Sequence, residues 1–174
     1  MRLAELEDGK VAQMGIYLPG RLGMDEGEAI LSMVITSDYS GQMLFFFASG
    51  KCAKIPLSSY ATKQNRRKLL KAYSDKEELA AMLHIEEETE LAVFTSGGTG
   101  GPRLILVGSA LIPEKATRDT VGINMVTLKK NARIAKVRPA AGLELKDPHR
   151  YRVRTLPAAG ALLRQEDTTE QMSL

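Results

Sequence analysis

Two short basic motifs with the same spacing are the residues of this sequence best suited to a chemical role. "KQNR" occupies residues 63–66 and "KATR" occupies residues 115–118, so each motif reads Lys-x-x-Arg. Ammonium and guanidinium groups at such spacing can contact phosphate oxygens, which requires charge and reach but no base-specific geometry. The motifs therefore predict contacts with a nucleic-acid backbone. The alternative is a pair of solvated surface loops.

The charge of the chain alternates in blocks. The formal net charge is only +3, yet residues 39–74 hold seven cations and no anion. Residues 91–143 hold eight cations and two anions, whereas residues 1–38 and 75–90 carry net charges of −4 and −6. Such blocks indicate a folded body with basic and acidic sectors. If the basic blocks join in one stripe, DNA binding is favoured. If they are scattered, a β-domain that docks a partner through its acidic sectors is favoured.

Composition and motif content exclude several classes of protein. A hydrophobic fraction of 44% and a charged fraction of 26% are typical of a globular domain, and 174 residues suit one such domain. The single cysteine, Cys52, excludes an internal disulfide and fits a reducing cytoplasm. No apolar run approaches the roughly 18 residues of a membrane span, so we expect a soluble protein with no membrane partner.

The sequence lacks the usual patterns of catalysis and metal binding. His84 and His149 stand far apart and have no Cys-x-x-Cys or His-x-x-x-His partner. The glycine-rich stretch "SGGTGGP" at 96–102 precedes a predicted strand and lacks the Gly-Lys-Ser/Thr ending of a phosphate-binding loop. We therefore predict no catalytic residue, no metal site and no cofactor in this chain.

Short strands separated by tight turns dominate the chain. Alternating apolar residues around Gly, Ser and Asn predict three hairpins. A weaker copy at 7–19 supplies only a turn and a second strand. The predicted strand pairs are 43–48 with 52–57, 91–95 with 103–107, and 123–128 with 133–137.

Residues 75–84 fit two interpretations. Ser74 and Glu77 form a capping box before good helix formers, which predicts a helix. The repetition of hairpins predicts a strand instead, because "EAILSMVIT" at 28–36, the equivalent stretch of the preceding unit, has a strand pattern. We interpret "LAAMLHI" at 79–85 as a strand.

The hairpins recur about every 50 residues. Gly50 and Gly97 are 47 residues apart, and the two Lys-x-x-Arg motifs are 52 apart, with the difference lying in the loop "GGTGGPR". A small antiparallel sheet repeated at this period predicts a propeller-like array. We expect an all-β fold of about three antiparallel blades in a single domain. Its approximate repeats are 5–58, 59–110 and 111–157, with a tail at 158–174.

Four segments of the sequence resemble the C-terminal region of the A subunit of bacterial type IIA topoisomerases, the group that comprises the A subunits of gyrase and of topoisomerase IV. The segments are "FFFASGKCAKIPLSSY", "ATKQNRRKLLKAYSDK", "LIPEKATRDTVGINMVTLKKN" and "RVRTLPAAGALLRQED". The resemblance implies a β-pinwheel. The family wheel has five or six blades, whereas this chain is long enough for about three, so we expect an open or truncated array. The glycine- and arginine-rich box of gyrases is missing, which favours DNA bending over tight wrapping.

The resemblance also implies a function. In the family, a basic perimeter binds and bends duplex DNA without sequence preference and presents it to the cleavage core of an ATP-dependent enzyme. This chain would be a non-catalytic, cytoplasmic and nucleoid-associated domain. Its partners would be double-stranded DNA, the rest of the topoisomerase polypeptide, and the ATPase partner subunit. The family's catalytic tyrosine is absent, and Tyr151 is interpreted as a packing residue. The predicted backbone contacts are Lys51, Lys54, Lys63, Arg66, Arg67, Lys68, Lys71, Lys115, Arg118, Lys129, Lys130 and Arg133.

Overall fold

The computed structural model describes residues 6, 9–10, 14–62 and 69–167, and these residues form an all-β fold. The helical elements are short: one α-helix, α1 (Leu18–Leu22), and the 3₁₀ turns Leu57–Tyr60, Ser109–Leu111, Pro148–Arg150 and Gln165–Asp167. The strands are β1 (Gln42–Phe47), β2 (Lys51–Pro56), β3 (Leu79–Ile85), β4 (Glu90–Thr95), β5 (Arg103–Gly108), β6 (Ile123–Asn124), β7 (Ile134–Pro139) and β8 (Ala161–Leu162).

The strands form two antiparallel sheets of four strands with the same topology. Their orders are β3-β1-β2-β6 and β7-β4-β5-β8. The hairpins β1–β2 and β4–β5 occupy the two centres, as the turn chemistry predicted. The strand interpretation of residues 79–85 is confirmed, because β3 pairs along its length with β1. The predicted all-β class is confirmed as well.

Each sheet is closed by a strand from later in the chain. Strand β6 follows the second hairpin in sequence but pairs with β2 of the first sheet. The backbone N–H groups of Met125 and Val126 then both donate to the carbonyl oxygen of Gly50, each at 2.9 Å. Strand β8 closes the second sheet in the same way by pairing with β5. The chain therefore returns to the preceding sheet after it has built the next hairpin.

The predicted third hairpin is wrong. Residues 123–128 and 133–137 do not pair with each other, because β6 joins the first sheet and β7 pairs with β4 of the second. The predicted turn does form, with Asn131 at a φ of 61°, but it connects two sheets. Alternation of apolar residues predicts a strand and leaves its partner open, so a hairpin and a crossover have the same local pattern.

Two further predicted strands are wrong. Within the opening copy at 7–19, residues 18–19 begin α1, with Pro19 in its first turn, and the described residues 14–17 form no strand. Residues 28–36 also form no strand. A strand needs a neighbour to satisfy its backbone hydrogen bonds, and here neither stretch has one among the described residues.

Three apolar layers hold the sheets together. Successive side chains on a strand point to opposite faces, so the residues of β1 and β2 divide between an outer layer and a core between the sheets. The core between the sheets includes Leu44, Phe46, Cys52, Leu91, Val93, Ile105, Val107, Met125 and Ile134. The outer layer of the first sheet includes Met43, Phe45, Phe47, Ala53, Ile55 and Leu57. The outer layer of the second includes Ala92, Phe94, Leu104, Leu106, Tyr151 and Leu163.

The end of the described chain covers the second sheet, and we call residues 140–167 the C-terminal cap. An isolated bridge joins Lys54 to Glu114, and an equivalent bridge joins Leu106 to Arg152. In the first case, the chain between the end of β3 and the bridge (residues 86–113) contains a whole hairpin, β4–β5. In the second case, the chain between the end of β7 and the bridge is only residues 140–151, and these residues contain no strand. Tyr151 is 1% exposed in the outer layer of the second sheet, so it packs as predicted, although in the cap and not in a strand.

The cap contains a buried carboxylate, Asp167. Its Oδ2 accepts a hydrogen bond of 2.6 Å from the Tyr151 hydroxyl, and its Oδ1 accepts one of 3.0 Å from the Lys146 backbone N–H. Burial raises the pKa of Asp167, but these hydrogen bonds outweigh it and hold the pKa below its usual range. Because the folded pKa is depressed, the stabilisation is present above the unfolded pKa of about 4 and is lost as the pH falls through the folded pKa.

We therefore expect Asp167→Asn to be less stable than the wild type near pH 7 and to lose less stability between about pH 4 and pH 2. Urea unfolding across this range measures both effects. Glu144→Gln, an exposed change in the same cap, should follow the wild-type curve. Parallel curves for Asp167→Asn and the wild type would show that the carboxylate is not linked to folding.

Candidate nucleic-acid interface

Among the described residues, the predicted cations lie at two opposite ends of the sheets. We call the end where β1 begins and β2 ends the open end, and the end where Ser49 and Gly50 connect them the turn end. The two hairpins share this orientation, because Glu88 and Ser109, which flank β4 and β5, meet the open end of β2. At the other end, the Ile134 N–H donates to the carbonyl oxygen of Ala48 at 3.1 Å.

The open end brings residues of the two basic blocks together. Lys71 belongs to the first block, and its ammonium lies 3.7 Å from the carboxylate of Asp119, which belongs to the second. Lys115 follows the bridge to Lys54 and has no ion-pair partner among the described residues. Arg118 completes the group, which we call the open-end group (Lys71, Lys115, Arg118).

Tyr60 holds the guanidinium of Arg118. The Arg118 Cζ lies 5.7 Å from the centroid of the Tyr60 ring, within the range of a cation–π contact. The Tyr60 hydroxyl donates to the carbonyl oxygen of Ala72 at 2.8 Å, which fixes the ring. Burial raises the pKa of Tyr60 to about 12, with the charge of Arg118 acting in the opposite direction. The ring is therefore neutral at physiological pH and stays a platform for Arg118.

A second set of cations occupies the turn end. Lys129 and Lys130 are exposed, and the Thr99 N–H donates to the carbonyl oxygen of Lys130 at 3.0 Å. Gly98 makes this approach possible, since it has a φ of 51° and a Cβ there would lie 2.7 Å from that oxygen. Arg133 is exposed nearby, with its Nη1 3.6 Å from Glu78. We call Lys129, Lys130 and Arg133 the turn-end group.

Two predicted contacts, Lys51 and Lys54, donate hydrogen bonds to carboxylates. The Lys51 ammonium donates to Glu77 at the turn end, and hydrogen bonds from Lys51 and Ser49 lower the pKa of Glu77. The Lys54 side chain is only 4% exposed, and its ammonium donates to Glu88. Lys54 therefore faces the interior, which the sequence could have indicated, since Lys54 lies two residues after the buried Cys52 on the same face of β2.

The remaining predicted residues lie outside the described part of the chain. These residues, Lys63, Arg66, Arg67 and Lys68, include the first Lys-x-x-Arg motif.

Sequence reasoning missed the arginines of the C-terminal cap. Arg152 pairs with Glu90, Nε to Oε1 at 2.7 Å, at the open end of the second sheet. Arg150 and Arg154, two residues to either side, are exposed. The alternating "RYRVR" at 150–154 carries this signal, but it does not repeat the Lys-x-x-Arg spacing.

The acidic block 75–90 is largely paired with basic residues. Four of its six glutamates form ion pairs, two with lysines of β2 and two with arginines from later in the chain. The pairs are Glu77 with Lys51, Glu78 with Arg133, Glu88 with Lys54, and Glu90 with Arg152. This block therefore mainly neutralises basic residues of the same chain.

The other candidate sites have simpler environments. His84 lies on β3, with its Nε2 3.4 Å from the carbonyl oxygen of Ser40. Within the described ranges, the His, Cys, Asp and Glu side chains form no group of three suited to a metal ion. Among the same residues, no helix has the length and apolar character needed to cross a membrane.

Two interlocked antiparallel sheets, with each hairpin closed by a later strand, define the β-pinwheel class. The chain has the fold of the C-terminal domains of gyrase A and topoisomerase IV. One structure of a topoisomerase IV C-terminal domain superposes with a TM-score of 0.71 at 16% identity, covering 92% of this chain and 53% of that one. A DNA gyrase A C-terminal domain gives 0.61 at 14% identity, covering 92% and 54%. The E. coli ParC C-terminal domain gives 0.62 at 14% identity, covering 88% and 68%.

The resemblance drawn from the sequence is thus confirmed at the level of the fold. The chain spans about half the length of the first two of these domains. No protein-family model matches the sequence, and no curated protein matches it.

Proposed function

We propose that this chain is a DNA-binding domain that holds duplex DNA by its phosphate backbone, independently of base sequence. The observation that carries the proposal is the open-end group, in which the Lys71 ammonium of the first basic block lies 3.7 Å from Asp119, the residue that follows Arg118 in the second block. Cations grouped at one end of the sheets suit a polyanion, because backbone contacts need charge and reach only. The fold shared with topoisomerase C-terminal domains supports the same conclusion.

The proposed interface keeps the cations whose ion pairs are long and exposed: Lys71 lies 3.7 Å from Asp119 and Arg133 lies 3.6 Å from Glu78, and both side chains are mostly exposed. Lys51 and Lys54 are left out, since each ammonium already donates to a carboxylate that would lose its partner. Arg150 and Arg154 are candidates to extend the edge along the cap. The proposed contacts are the open-end group, the turn-end group, and Lys63, Arg66, Arg67 and Lys68 of the first Lys-x-x-Arg segment.

We further propose that the domain bends the DNA it binds. Cations stand at both ends of strands that are six residues long, or roughly 20 Å apart. We propose that the duplex bends around the ends of the strands to contact both groups. Within a type IIA topoisomerase, this would present the DNA to the cleavage core in an ATP-dependent reaction that involves the partner ATPase subunit. The domain itself would be non-catalytic, and relaxation of supercoiled plasmid by the purified chain would contradict this assignment.

A protein contact by the acidic N-terminal sector is a second candidate function. Several large apolar side chains between residues 14 and 35 are exposed, which is unusual for a solvated surface. The acidic block 75–90 supports this candidate less, because most of its glutamates are paired internally. The exposed side chains are Met14, Ile16, Tyr17, Ile30, Leu31, Met33 and Ile35.

The replacement of two open-end cations tests the proposed interface. We expect Lys115→Ala with Arg118→Ala to weaken binding of a random-sequence duplex in a gel-shift titration. It should also make the dependence of log K on log[salt] shallower by about two units, one for each lost phosphate contact. Both side chains are half-buried and Arg118 contacts the Tyr60 ring, so the melting temperature should fall only slightly.

The matched control removes the same charge elsewhere. Lys146 and Arg164 both pair with Glu166 in the C-terminal cap, so Lys146→Ala with Arg164→Ala lowers the net charge equally outside the proposed contacts. The control should keep the wild-type salt slope. Equal losses in both double variants would mean that only net charge matters and that the open-end group is not a binding surface.

A further inference from the structure

We propose that Lys54 is a positioning residue for the DNA interface and not a phosphate contact. With Glu88 and Ser109 it forms a brace that holds the open end of the first sheet against the second. The brace thereby fixes the segment that carries Lys115. This inference rests on the proposed function for its consequence in DNA binding, but the brace itself has a separate test.

The side chain of Lys54 points between the sheets. Cys52 belongs to the core between the sheets, whereas Ala53 and Ile55 belong to the outer layer of the first sheet. Because alternate residues of a strand share a face, Lys54 faces the same way as Cys52. It therefore stands where that core ends at the open end, and its side chain is 4% exposed.

The ammonium of Lys54 contacts both flanks of the second hairpin. It donates to a carboxylate oxygen of Glu88, just before β4, and to the carbonyl oxygen of Ser109, just after β5, at 3.3 Å. The other carboxylate oxygen of Glu88 accepts from the Ser109 hydroxyl, which in turn accepts from the Thr89 N–H at 2.9 Å. One buried cation thus links three chain segments from two sheets.

The same residue also holds the beginning of the open-end group. The carbonyl oxygen of Lys54 accepts a hydrogen bond of 2.8 Å from the Lys115 N–H. The Ile112 N–H donates to the carbonyl oxygen of Ser109 at 3.0 Å, and the Gln42 side chain donates to Glu114 at 3.0 Å. Residues 109–115 are therefore fixed to Lys54 at both ends. Cations held in place before binding lose less conformational entropy when they meet phosphates.

Lys54→Met is the direct variant, because methionine keeps the length and apolar stem of lysine and removes the three donors. Lys54→Met with Glu88→Gln removes both charges and leaves no unpaired ion, since a neutral replacement of an ion pair is often tolerated. Agreement between the two variants separates the loss of positioning from the cost of an unpaired Glu88. Lys51→Met with Glu77→Gln is the matched control. Lys51 lies on the same strand as Lys54, β2, and pairs with Glu77 at the turn end.

Cys52 reports on the brace without DNA. It is the single cysteine, it is 1% exposed, and burial raises the pKa of its thiol, so it should react slowly with a thiol reagent in the folded protein. In both Lys54 variants we expect the reaction to be several-fold faster, because the open end of the core separates more often and exposes the thiol. Loss of the Lys54 charge, which lowers the pKa of this thiol in the wild type, acts in the opposite direction, so a faster reaction reports opening of the core. The Lys51 control should react at the wild-type rate.

Duplex binding gives the second readout. We expect both Lys54 variants to bind roughly three- to tenfold more weakly, the cost of ordering one or two more side chains on binding. The salt slope should stay unchanged, because no phosphate contact is lost. A slope shallower by about one unit would show that Lys54 contacts phosphate, and unchanged affinity or unchanged thiol reactivity would likewise overturn the proposal. If the wild type binds no DNA, the proposed function fails, and thiol reactivity alone decides whether the brace exists.

Discussion

An increase in salt from 50 to 200 mM should weaken duplex binding by roughly 250- to 1,000-fold. About four to six cations of the proposed interface would neutralise phosphates, and each contact releases condensed counterions from the DNA. The expected slope of log K against log[salt] is therefore roughly −4 to −5. Titration of a random-sequence duplex at four or five salt concentrations measures this slope directly.

The sequence of the duplex should matter little. Backbone contacts position a protein on DNA but carry no base information, so two unrelated duplexes of equal length should compete equally. A slope near zero, or a strong preference for one duplex, would contradict the backbone-contact proposal. A steep slope with no difference between duplexes would support it.

Gly122→Ala should destabilise the fold by about 3 kcal/mol or more. Gly122 has a φ of 75°, where an L-residue is strained, and a Cβ there would lie 1.9 Å from the carbonyl oxygen of Cys52. That oxygen belongs to the backbone of β2, so it cannot move without the sheet. The substitution should push β6 away from β2 and lower the melting temperature by roughly 6–12 °C.

Gly97→Ala is the control for this change. Gly97 lies in the glycine-rich turn, and an added Cβ there meets nothing within 4 Å. Its melting temperature should stay close to that of the wild type. If Gly122→Ala melts with the control, the close approach of β6 to β2 does not contribute to stability.

The strands of this fold could be predicted from the sequence, but their partners could only partly be predicted. The central hairpins followed from turn residues such as Gly50 between apolar runs, which is local information. The partner of β6 was not local, because the contact of Cys52 with Ile123 joins residues far apart in the chain. The segment 28–36 shows the converse, since a strand pattern produces no strand where no neighbouring strand accepts its hydrogen bonds.

The candidate site was predictable in its charge and not in its pairing. The basic blocks were visible as counts, and they approach each other at the open end, where Lys71 lies 3.7 Å from Asp119. Which cations would be neutralised depended on contacts such as Lys54 with Glu88, which form only when β2 packs against the second hairpin. The alternation around Cys52 carried that information, but the positive charge of Lys54 was the more conspicuous signal.

The return of β6 to the first sheet has a consequence for how such a chain can change length. A stretch of about 50 residues that runs from one hairpin to the next carries its own blade and also the strand that closes the blade before it. Duplication of that stretch therefore inserts a blade whose closing strand comes from the following unit, and no new sheet edge is exposed. If the stretch is lost, the strand that closes the preceding blade comes from the next remaining unit, so the flanking blades are still fully paired. Arrays of two sheets and longer wheels can thus be related by steps that each preserve a fully paired interior.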